Sequence, residues 1–303
     1  MILVVGATGL LGMEVCRRLR KDGKAVRGLV RVTSDAGKTA ELERIGVELA
    51  RGDLKEPASL ESACTAITTV ISTASSTLSR QEGDSIETVD QRGQIALIDA
   101  ARSAHVEHFI FVSFRDNPRV QYPLTVAKRA VEQHLKDSGL AYTILQASYF
   151  MEVWLTPMLG FDFASGKVRI YGDGTNPLTW VSYKDVARVA AAAVDQPAAR
   201  NATLAVGGPE ALTPLEVVRM FEAAGTADMS VEMVNESDLS AQLQNATDPL
   251  QKSFAGLMLQ YANGDAMDTS KTRSLFPFEL TSVRDYASTV RRAGLSGPAS
   301  RGS

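Results

Sequence analysis

The sequence has few of the residues that build metal centres or disulfide frameworks. Only two cysteines, Cys16 and Cys64, occur among 303 residues, and both fall in stretches of helical composition. The three histidines, His105, His108 and His134, share no metal-ligand spacing with them. We therefore expect no metal site and no disulfide scaffold. The low cysteine usage predicts a cytoplasmic protein in a reducing compartment.

An excess of one charge and long apolar runs are also lacking. The 32 basic and 35 acidic residues give a net charge of −3, so the composition predicts no nucleic-acid partner and no anionic membrane partner. No apolar run approaches the roughly 20 residues of a membrane-spanning helix. Met1 leads directly into strand residues, so we expect no signal or transit peptide. The hydrophobic fraction of 45% is sufficient for a substantial core in one large or two closely joined domains.

A glycine-rich turn near the start of the chain is the most informative feature that is present. The apolar run 2–5 leads into Gly6, Gly9 and Gly12, and an amphipathic stretch, 10–19, follows at once. This order of strand, glycine turn and helix predicts a dinucleotide-binding site. Gly6 permits the tight turn, Gly9 lets a pyrophosphate approach the backbone, and Gly12 lets the helix pack closely. The phosphates would lie at the positive end of that helix. An ordinary strand–turn–helix is the alternative.

Arg31 follows the second predicted strand, where NAD-binding proteins usually carry an acidic residue. An arginine cannot accept a hydrogen bond from the ribose 2′-hydroxyl, but it pairs with a 2′-phosphate. Thr33, Ser34 and Lys38 offer further donors, so we predict that NADP(H) is preferred over NAD(H). Two alternatives stay open: Arg31 is a solvated residue at a strand end, or Asp35 turns back to the ribose and favours NAD(H).

Strand and helix patterns alternate through six units up to about residue 145. This alternation predicts an α/β fold with a doubly wound parallel Rossmann sheet. Ligands bind such sheets at the carboxyl ends of the strands. Ser113 ends the fifth strand there, and Asp53 follows the third, either as an adenine-binding residue or as a turn residue.

The alternation stops after Ala147, where large apolar side chains cluster. Core packing explains any one of them, and an apolar ligand pocket explains the cluster. We predict a Rossmann domain over 1–148 with returning segments at about 178–205, a smaller α+β substrate or lid domain mainly over 149–293, and a disordered tail over 294–303. The predicted substrate-pocket residues are Phe114, Met151, Trp154, Met158 and Trp180.

The motifs together resemble one family. The N-terminal G-A-T-G-x-x-G, Arg31, the Gly52-Asp53-Leu54 step and the block 122–151 are similar to NmrA-like atypical short-chain dehydrogenases/reductases, which include isoflavone-reductase-like and quinone-reductase-like proteins. The resemblance covers most of the chain and weakens after residue 205. It implies a Rossmann domain, a small C-terminal substrate domain and NADP(H) binding.

One departure from the wider superfamily concerns catalysis. Typical members carry Tyr-x-x-x-Lys with the tyrosine as proton donor, whereas here Leu124 stands four residues before Lys128. Tyr122, ahead of Pro123, does not simply substitute for it. Lys128 matches the lysine that isoflavone-reductase-like members use, and we predict it as the catalytic residue; a surface lysine paired with Glu132 is the alternative. The predicted cofactor-binding residues are Gly6, Thr8, Gly9, Leu10, Leu11, Gly12, Arg31, Asp53, Leu54, Thr73, Ala74, Ser113, Lys128, Tyr149 and Phe150.

Two functions remain open at this point. The first is an NADPH-dependent reductase that transfers hydride to a quinone, enone or similar small apolar electrophile, with Lys128 polarising the substrate oxygen. The second is a non-catalytic NADP(H)-binding protein that reports the redox state of the cofactor to a partner. A small-molecule substrate favours the first. The sequence is compatible with a monomer or a homodimer.

Overall fold

The computed structural model describes residues 1–78, 81–115, 117, 119–225 and 228–295. Strands and helices alternate through the first half of the chain, and a π-helical segment, Ile86–Gly93, leads into the fourth helix. The elements of this half are β1 (Ile2–Val5), α1 (Leu10–Lys21), β2 (Val26–Val30), α2 (Ala36–Arg44), β3 (Glu48–Arg51), α3 (Pro57–Ala63), β4 (Thr69–Ser72), α4 (Gln94–Ser103), β5 (His108–Phe114), α5 (Pro123–Asp137) and β6 (Ala141–Ala147).

The second half begins with short, irregular elements and ends with helices. Its elements are β7 (Tyr149–Phe150), α6 (Met151–Trp154), β8 (Phe161–Asp162), β9 (Lys167–Tyr171), β10 (Leu178–Val181), α7 (Tyr183–Ala193), β11 (Ala202–Val206), β12 (Ala211–Leu212), α8 (Pro214–Ala223), β13 (Ser230–Val234), α9 (Glu236–Asn245), α10 (Pro249–Ala262), α11 (Ser270–Leu275) and α12 (Val283–Leu295).

A seven-stranded sheet with the order β11-β6-β5-β4-β1-β2-β3 forms the centre of the molecule. Every neighbouring pair in it is parallel. The chain proceeds from β1 to β2 and β3, then returns to β4 on the other side of β1, and this reversal opens a crevice at the carboxyl ends of β1 and β4. The predicted doubly wound Rossmann sheet is confirmed. β11 extends it beside β6 and overlaps the stretch, about 178–205, that was predicted to return to the Rossmann domain; that domain assignment stays a prediction.

Helices cover both faces of the central sheet. Along β1, Ile2 and Val4 pack into one apolar cluster with α1 and α7, while Leu3 and Val5 pack into another with α3, α4 and α5. Because both faces are covered, each residue of β1 is buried and the strand is apolar throughout. This explains why the sequence shows a continuous apolar run there.

The second half adds two three-stranded sheets, β12-β10-β7 and β13-β9-β8, and a third apolar cluster. Aromatic rings fill that cluster: Trp154 stacks on Tyr261 with ring centroids 5.2 Å apart, and the Tyr149 ring lies 4.9 Å from that of Trp154. This is the expected smaller α+β part, whereas the division at residue 148 stays a prediction. Of the predicted tail over 294–303, the first two residues end α12, and 296–303 lie outside the described residues.

His108 makes the stability of this fold depend on pH. It is fully buried in β5, with Nε2 2.9 Å from Thr143 Oγ1, and burial lowers the pKa of its imidazole to about 4. Between pH 4 and 6.5 the unfolded chain therefore binds more protons than the folded chain, so the free energy of unfolding rises with pH in that window. Because of this histidine, we expect the free energy of unfolding to fall by about 3 kcal/mol as the pH is lowered from 6.5 to 4.

Urea unfolding at pH 7 and 4.5 tests this expectation. The His108→Gln variant should lose less stability over that interval than the unaltered chain, and His105→Gln, at an exposed position, should behave like the unaltered chain. Equal losses in all three proteins would contradict the assignment.

Candidate functional site

A cavity of about 600 Å³ lies at the crevice of the central sheet. The glycine turn between β1 and α1 lines one side of it, and the ends of β2 to β5 line its floor. Residues of α5, α6 and α10 close the other side. One continuous space therefore joins the glycine turn, the strand ends and the C-terminal helices.

The glycine turn is built so that its backbone, rather than side chains, faces neighbouring groups. Gly6 has a φ of +84°, and a Cβ there would lie 2.9 Å from the backbone nitrogen of Ala74. A Cβ on Gly12 would lie 2.1 Å from the carbonyl oxygen of Gly6. Gly9 precedes α1 as its N-cap and offers no side-chain cap, so the first N–H groups of a twelve-residue helix are left for an anion.

Arg31 does not end β2 as a freely solvated side chain. Its Nη1 lies 2.6 Å from Asp84 Oδ2, and its side chain is only 26% exposed. Lys55 Nζ lies 2.6 Å from the other oxygen of the same carboxylate. Although burial raises the pKa of Asp84, hydrogen bonds from Lys55, the Gln81 backbone and Arg31 outweigh it and hold that pKa below its usual value. The carboxylate is therefore charged in this cluster.

The two other acidic candidates at this end have local partners. Asp35 accepts a hydrogen bond of 2.8 Å from the Lys38 backbone and caps α2, while its side chain stays on the cavity wall. Asp53 accepts one of 2.9 Å from the Lys55 backbone, which is the turn role that the sequence allowed. The turn role of Asp53 is thus seen in the structure, whereas the ribose-binding role of Asp35 and the adenine-binding role of Asp53 stay predictions.

Lys128 projects from α5 into the cavity wall. Its side chain is 6% exposed, and Nζ lies 3.3 Å from Asp90 Oδ1 and 5.1 Å from the centroid of the Phe111 ring. Asp90 lies in the π-helical segment, a distortion of the helix that often occurs at functional sites. Its second oxygen accepts hydrogen bonds of 3.0 and 2.6 Å from the backbone and hydroxyl of Ser76. Lys128 is thus a fixed, partnered cation beside the cavity.

The alternative of a surface lysine paired with Glu132 is wrong. Glu132 instead forms an ion pair with Arg129, in which Arg129 Nη2 lies 2.7 Å from Glu132 Oε1, whereas Lys128 pairs with Asp90. Arg129 also donates to the Ser113 hydroxyl at 3.0 Å and to the Phe114 carbonyl, so it holds the carboxyl end of β5 in place.

No tyrosine occurs among the described residues that line the cavity. Leu124 lies on its wall one turn before Lys128. Tyr122 ends the preceding loop and is buried, and its hydroxyl donates to Gln260 Oε1 at 2.9 Å. As the sequence indicated, Tyr122 does not take the place of the missing tyrosine on the helix face.

Comparison with known proteins decides the family. The model of the NmrA-like family matches residues 1–287. The chain belongs to the NmrA-like family. The resemblance stated from the motifs is confirmed.

Individual relatives of this NmrA-like chain differ in activity. The NAD(P)H azoreductase of Xenophilus azovorans is 32% identical over 74% of this chain and 73% of the relative. The photosystem II assembly factor Ycf39 of Trieres chinensis is 31% identical over 94% of this chain and 91% of the relative. The NADPH-dependent quinone oxidoreductase QOR2 of Escherichia coli, crystallised with NADPH, superposes with a TM-score of 0.78 at 23% identity, covering 96% of this chain and 100% of that one. This last likeness concerns the fold.

The structure brings nearly all the predicted cofactor-binding residues to the NmrA-like cavity. The exception is Tyr149, which is fully buried in the aromatic cluster, where its hydroxyl finds no partner among the described residues. β7 pairs with β10 so that Tyr149 lies beside Trp180 and Phe150 beside Val181. Since side chains alternate along a strand, Phe150 reaches the cavity and Tyr149 the core.

Three of the predicted substrate-pocket residues do not line the cavity. Met151 and Trp180 are buried in the third apolar cluster, where the Trp180 Nε1 donates to the Leu212 carbonyl at 3.1 Å. Met158 is 63% exposed, beyond the end of α6. Phe114 and Trp154 do line the cavity. Core packing thus explains more of this aromatic group than the sequence suggested.

Sequence reasoning predicted a helix over 249–262 but missed that it supplies much of the apolar wall. Leu250, Phe254, Leu257 and Met258 of α10 all line the cavity. Their spacing of four, three and one is that of a helix face, so the signal was available, although nothing in the sequence indicated which surface this face covers. Asp84 and Asp90 were missed as well, and neither falls in a recognisable motif.

The described residues of the chain lack a metal site, a reactive thiol and a membrane-spanning helix. Within the described ranges, no group of three histidine, cysteine or acidic side chains could hold a metal ion. Burial raises the pKa of the Cys16 thiol to about 12 and that of Cys64 to about 11, so both are inert at neutral pH. Among the described residues, no helix is long and apolar enough to cross a bilayer.

Proposed function

We propose that this NmrA-like chain is an NADPH-dependent reductase that transfers hydride to a small apolar electrophile such as a quinone or an enone. One observation carries the proposal: a single cavity joins the glycine turn, Lys128 and an open apolar wall. Similarity to an NAD(P)H azoreductase at 32% identity supports an oxidoreductase. The apolar half of this cavity offers a surface for a substrate, which a cofactor-binding protein without turnover does not require.

The residues present fit NADP(H). The turn at Gly6, Gly9 and Gly12 leaves a backbone cradle that a Cβ would fill, and this suits a pyrophosphate at the start of α1. Arg31, with Ser34 and Lys38 on the same rim, suits a 2′-phosphate. The cavity then continues past the end of β5 towards the apolar wall, where a nicotinamide would meet its substrate.

When bound, NADPH supplies hydride to the acceptor. Lys128 would then have two tasks: its ammonium would bind the ribose hydroxyls on the nicotinamide side, and it would donate a hydrogen bond to the substrate oxygen on which negative charge develops until solvent supplies the proton. The Asp90 carboxylate, with Oδ1 3.3 Å from Nζ, places a compensating negative charge beside the buried ammonium. Because hydride transfer to a quinone demands less of a dedicated acid, a site without the usual tyrosine suits that substrate class.

The apolar wall determines which substrates enter. Trp154, Phe254 and Met258 present rings and a thioether from α6 and α10, and Phe150 faces them from β7. These side chains bind a flat apolar molecule and exclude water from the reacting atoms. Lys128 is the one titratable side chain among the described residues of this half of the cavity, so it alone offers a charge to the substrate.

A second function has a specific observation in its favour. The Ycf39 relative, 31% identical over 94% of this chain, is a photosystem II assembly factor. A chain of this fold that binds NADP(H) without turnover would report the redox state of the cofactor to a partner. The open apolar wall favours the reductase.

The two functions are separated by following NADPH oxidation by absorbance against a panel of quinones, enones, azo compounds and aldehydes. We expect turnover with at least one quinone or enone. If the chain binds NADPH tightly and reduces none of these compounds, the reductase is excluded and the binding function takes its place.

A further inference from the structure

The ion cluster around Asp84 lies at the end of the cavity assigned to the 2′-phosphate. The Asp84 side chain is 1% exposed and also lines the cavity. Its oxygens lie 2.6 Å from Arg31 Nη1 and 2.6 Å from Lys55 Nζ, and the Gln81 backbone donates to it at 2.9 Å. The Arg31 guanidinium is therefore already paired with a carboxylate before any anion binds to it.

The local charges cancel in this cluster. Arg31 and Lys55 each carry one positive charge, Asp84 carries one negative charge, and Asp53 adds another 3.7 Å from Lys55 Nζ. A 2′-phosphate carries close to two negative charges, so its attraction to the guanidinium is partly offset by repulsion from the buried carboxylate. NADH lacks this phosphate, and its pyrophosphate is assigned to the glycine turn.

We propose that Asp84 is a coenzyme-selectivity residue that limits the preference for NADPH over NADH. The proposal rests on the proposed function only in so far as the cavity binds a nicotinamide coenzyme. Asp84 accepts a hydrogen bond from Nη1 of the Arg31 guanidinium and thereby reduces the donors available for bidentate binding of the phosphate. Lys55 has the opposite effect, because it neutralises part of the Asp84 charge.

The test compares dissociation constants for NADPH and NADH, measured by fluorescence titration. Asp84→Asn is nearly isosteric and should raise the ratio of the NADH constant to the NADPH constant by about threefold or more, the order expected for removing one unit charge beside the partly exposed Arg31 guanidinium. Lys55→Met should lower the same ratio by a similar factor. Opposite signs matter, because a purely structural role of the cluster would move both variants in one direction.

Controls keep the result interpretable. Asp99→Asn removes an acid that pairs with His134, outside the cavity lining, and should leave the ratio unchanged. Asp84→Ser should shift the ratio in the same direction as Asp84→Asn, and melting curves verify that each variant is folded. A ratio that is unchanged or lower in both Asp84 variants would overturn the proposal.

Binding, rather than turnover, is the readout. A chain that binds NADPH and reduces nothing still decides the role of Asp84, although it fails as a reductase. A chain that reduces quinones while Asp84→Asn leaves the ratio unchanged keeps the proposed function and loses this inference. If the unaltered chain binds neither coenzyme, both are overturned.

Discussion

Replacing Lys128 with methionine is expected to lower kcat/KM for NADPH-dependent reduction by about 100-fold or more, the usual effect of removing a donor aimed at a developing oxyanion. Lys128 is the one cation in the apolar half of the described cavity, and the tyrosine that would otherwise donate a proton is absent from its lining. Methionine preserves the apolar stem but has no charge. Stopped-flow and steady-state measurements of NADPH oxidation would give the rate.

Two comparisons separate chemistry from folding in this experiment. Lys128→Met leaves Asp90 buried without its counter-charge, so stability falls as well. The double variant Asp90→Asn/Lys128→Met removes both charges and should recover much of the melting temperature without the activity. Lys136→Ala, exposed on the same helix, should retain full activity. Undiminished turnover by Lys128→Met would remove this residue from the mechanism.

Substituting alanine for Gly12 is expected to weaken NADPH binding by about 10-fold to 100-fold, since the displaced start of α1 loses a hydrogen bond to the charged pyrophosphate, worth about 1.5–3 kcal/mol. The added Cβ would lie 2.1 Å from the Gly6 carbonyl oxygen and 2.9 Å from Thr73 Oγ1. Because the first of these atoms belongs to the backbone, α1 must move away from the glycine turn. Overpacking of this kind also costs about 1–3 kcal/mol of stability. Fluorescence titration and thermal melting measure the two effects.

Gly37→Ala provides the matched substitution. Gly37 lies in the first turn of α2, and among the described residues beyond its chain neighbours and its own helix backbone, the nearest atom to an added Cβ would be Asp35 Oδ1, at 3.3 Å. Alanine favours a helix over glycine by up to about 1 kcal/mol, so this variant should be as stable as the unaltered chain or more so. Similar binding and melting in the Gly12 and Gly37 variants would contradict the close packing of α1 on the glycine turn.

Local patterns were sufficient to predict the elements of the Rossmann half. The continuous apolar run of β1 follows from burial on both faces, and the alternation of strand and helix patterns left a parallel doubly wound sheet as the consistent topology. The glycine turn was also predictable from local sequence, because its backbone geometry excludes side chains at fixed positions. Each of these features depends on neighbours within a few residues of one another.

The aromatic group after β6 shows where sequence reasoning failed. Tyr149 and Phe150 are adjacent and similar in character, yet one is in the core and the other lines the cavity. The register of β7 against β10 decides between them, and β10 begins almost thirty residues later. Trp180 was assigned to the pocket for want of that register.

The sequence by itself determined the family, the parallel sheet, the glycine turn and Lys128 as the cation on α5, because each is written in short-range spacing. Only the tertiary structure decided what surrounds these groups. It placed Asp90 beside Lys128, Asp84 between Arg31 and Lys55, and α10 over the apolar wall. The partners of a charge and the cover of an apolar face come from distant parts of the chain, so folding alone brings them together.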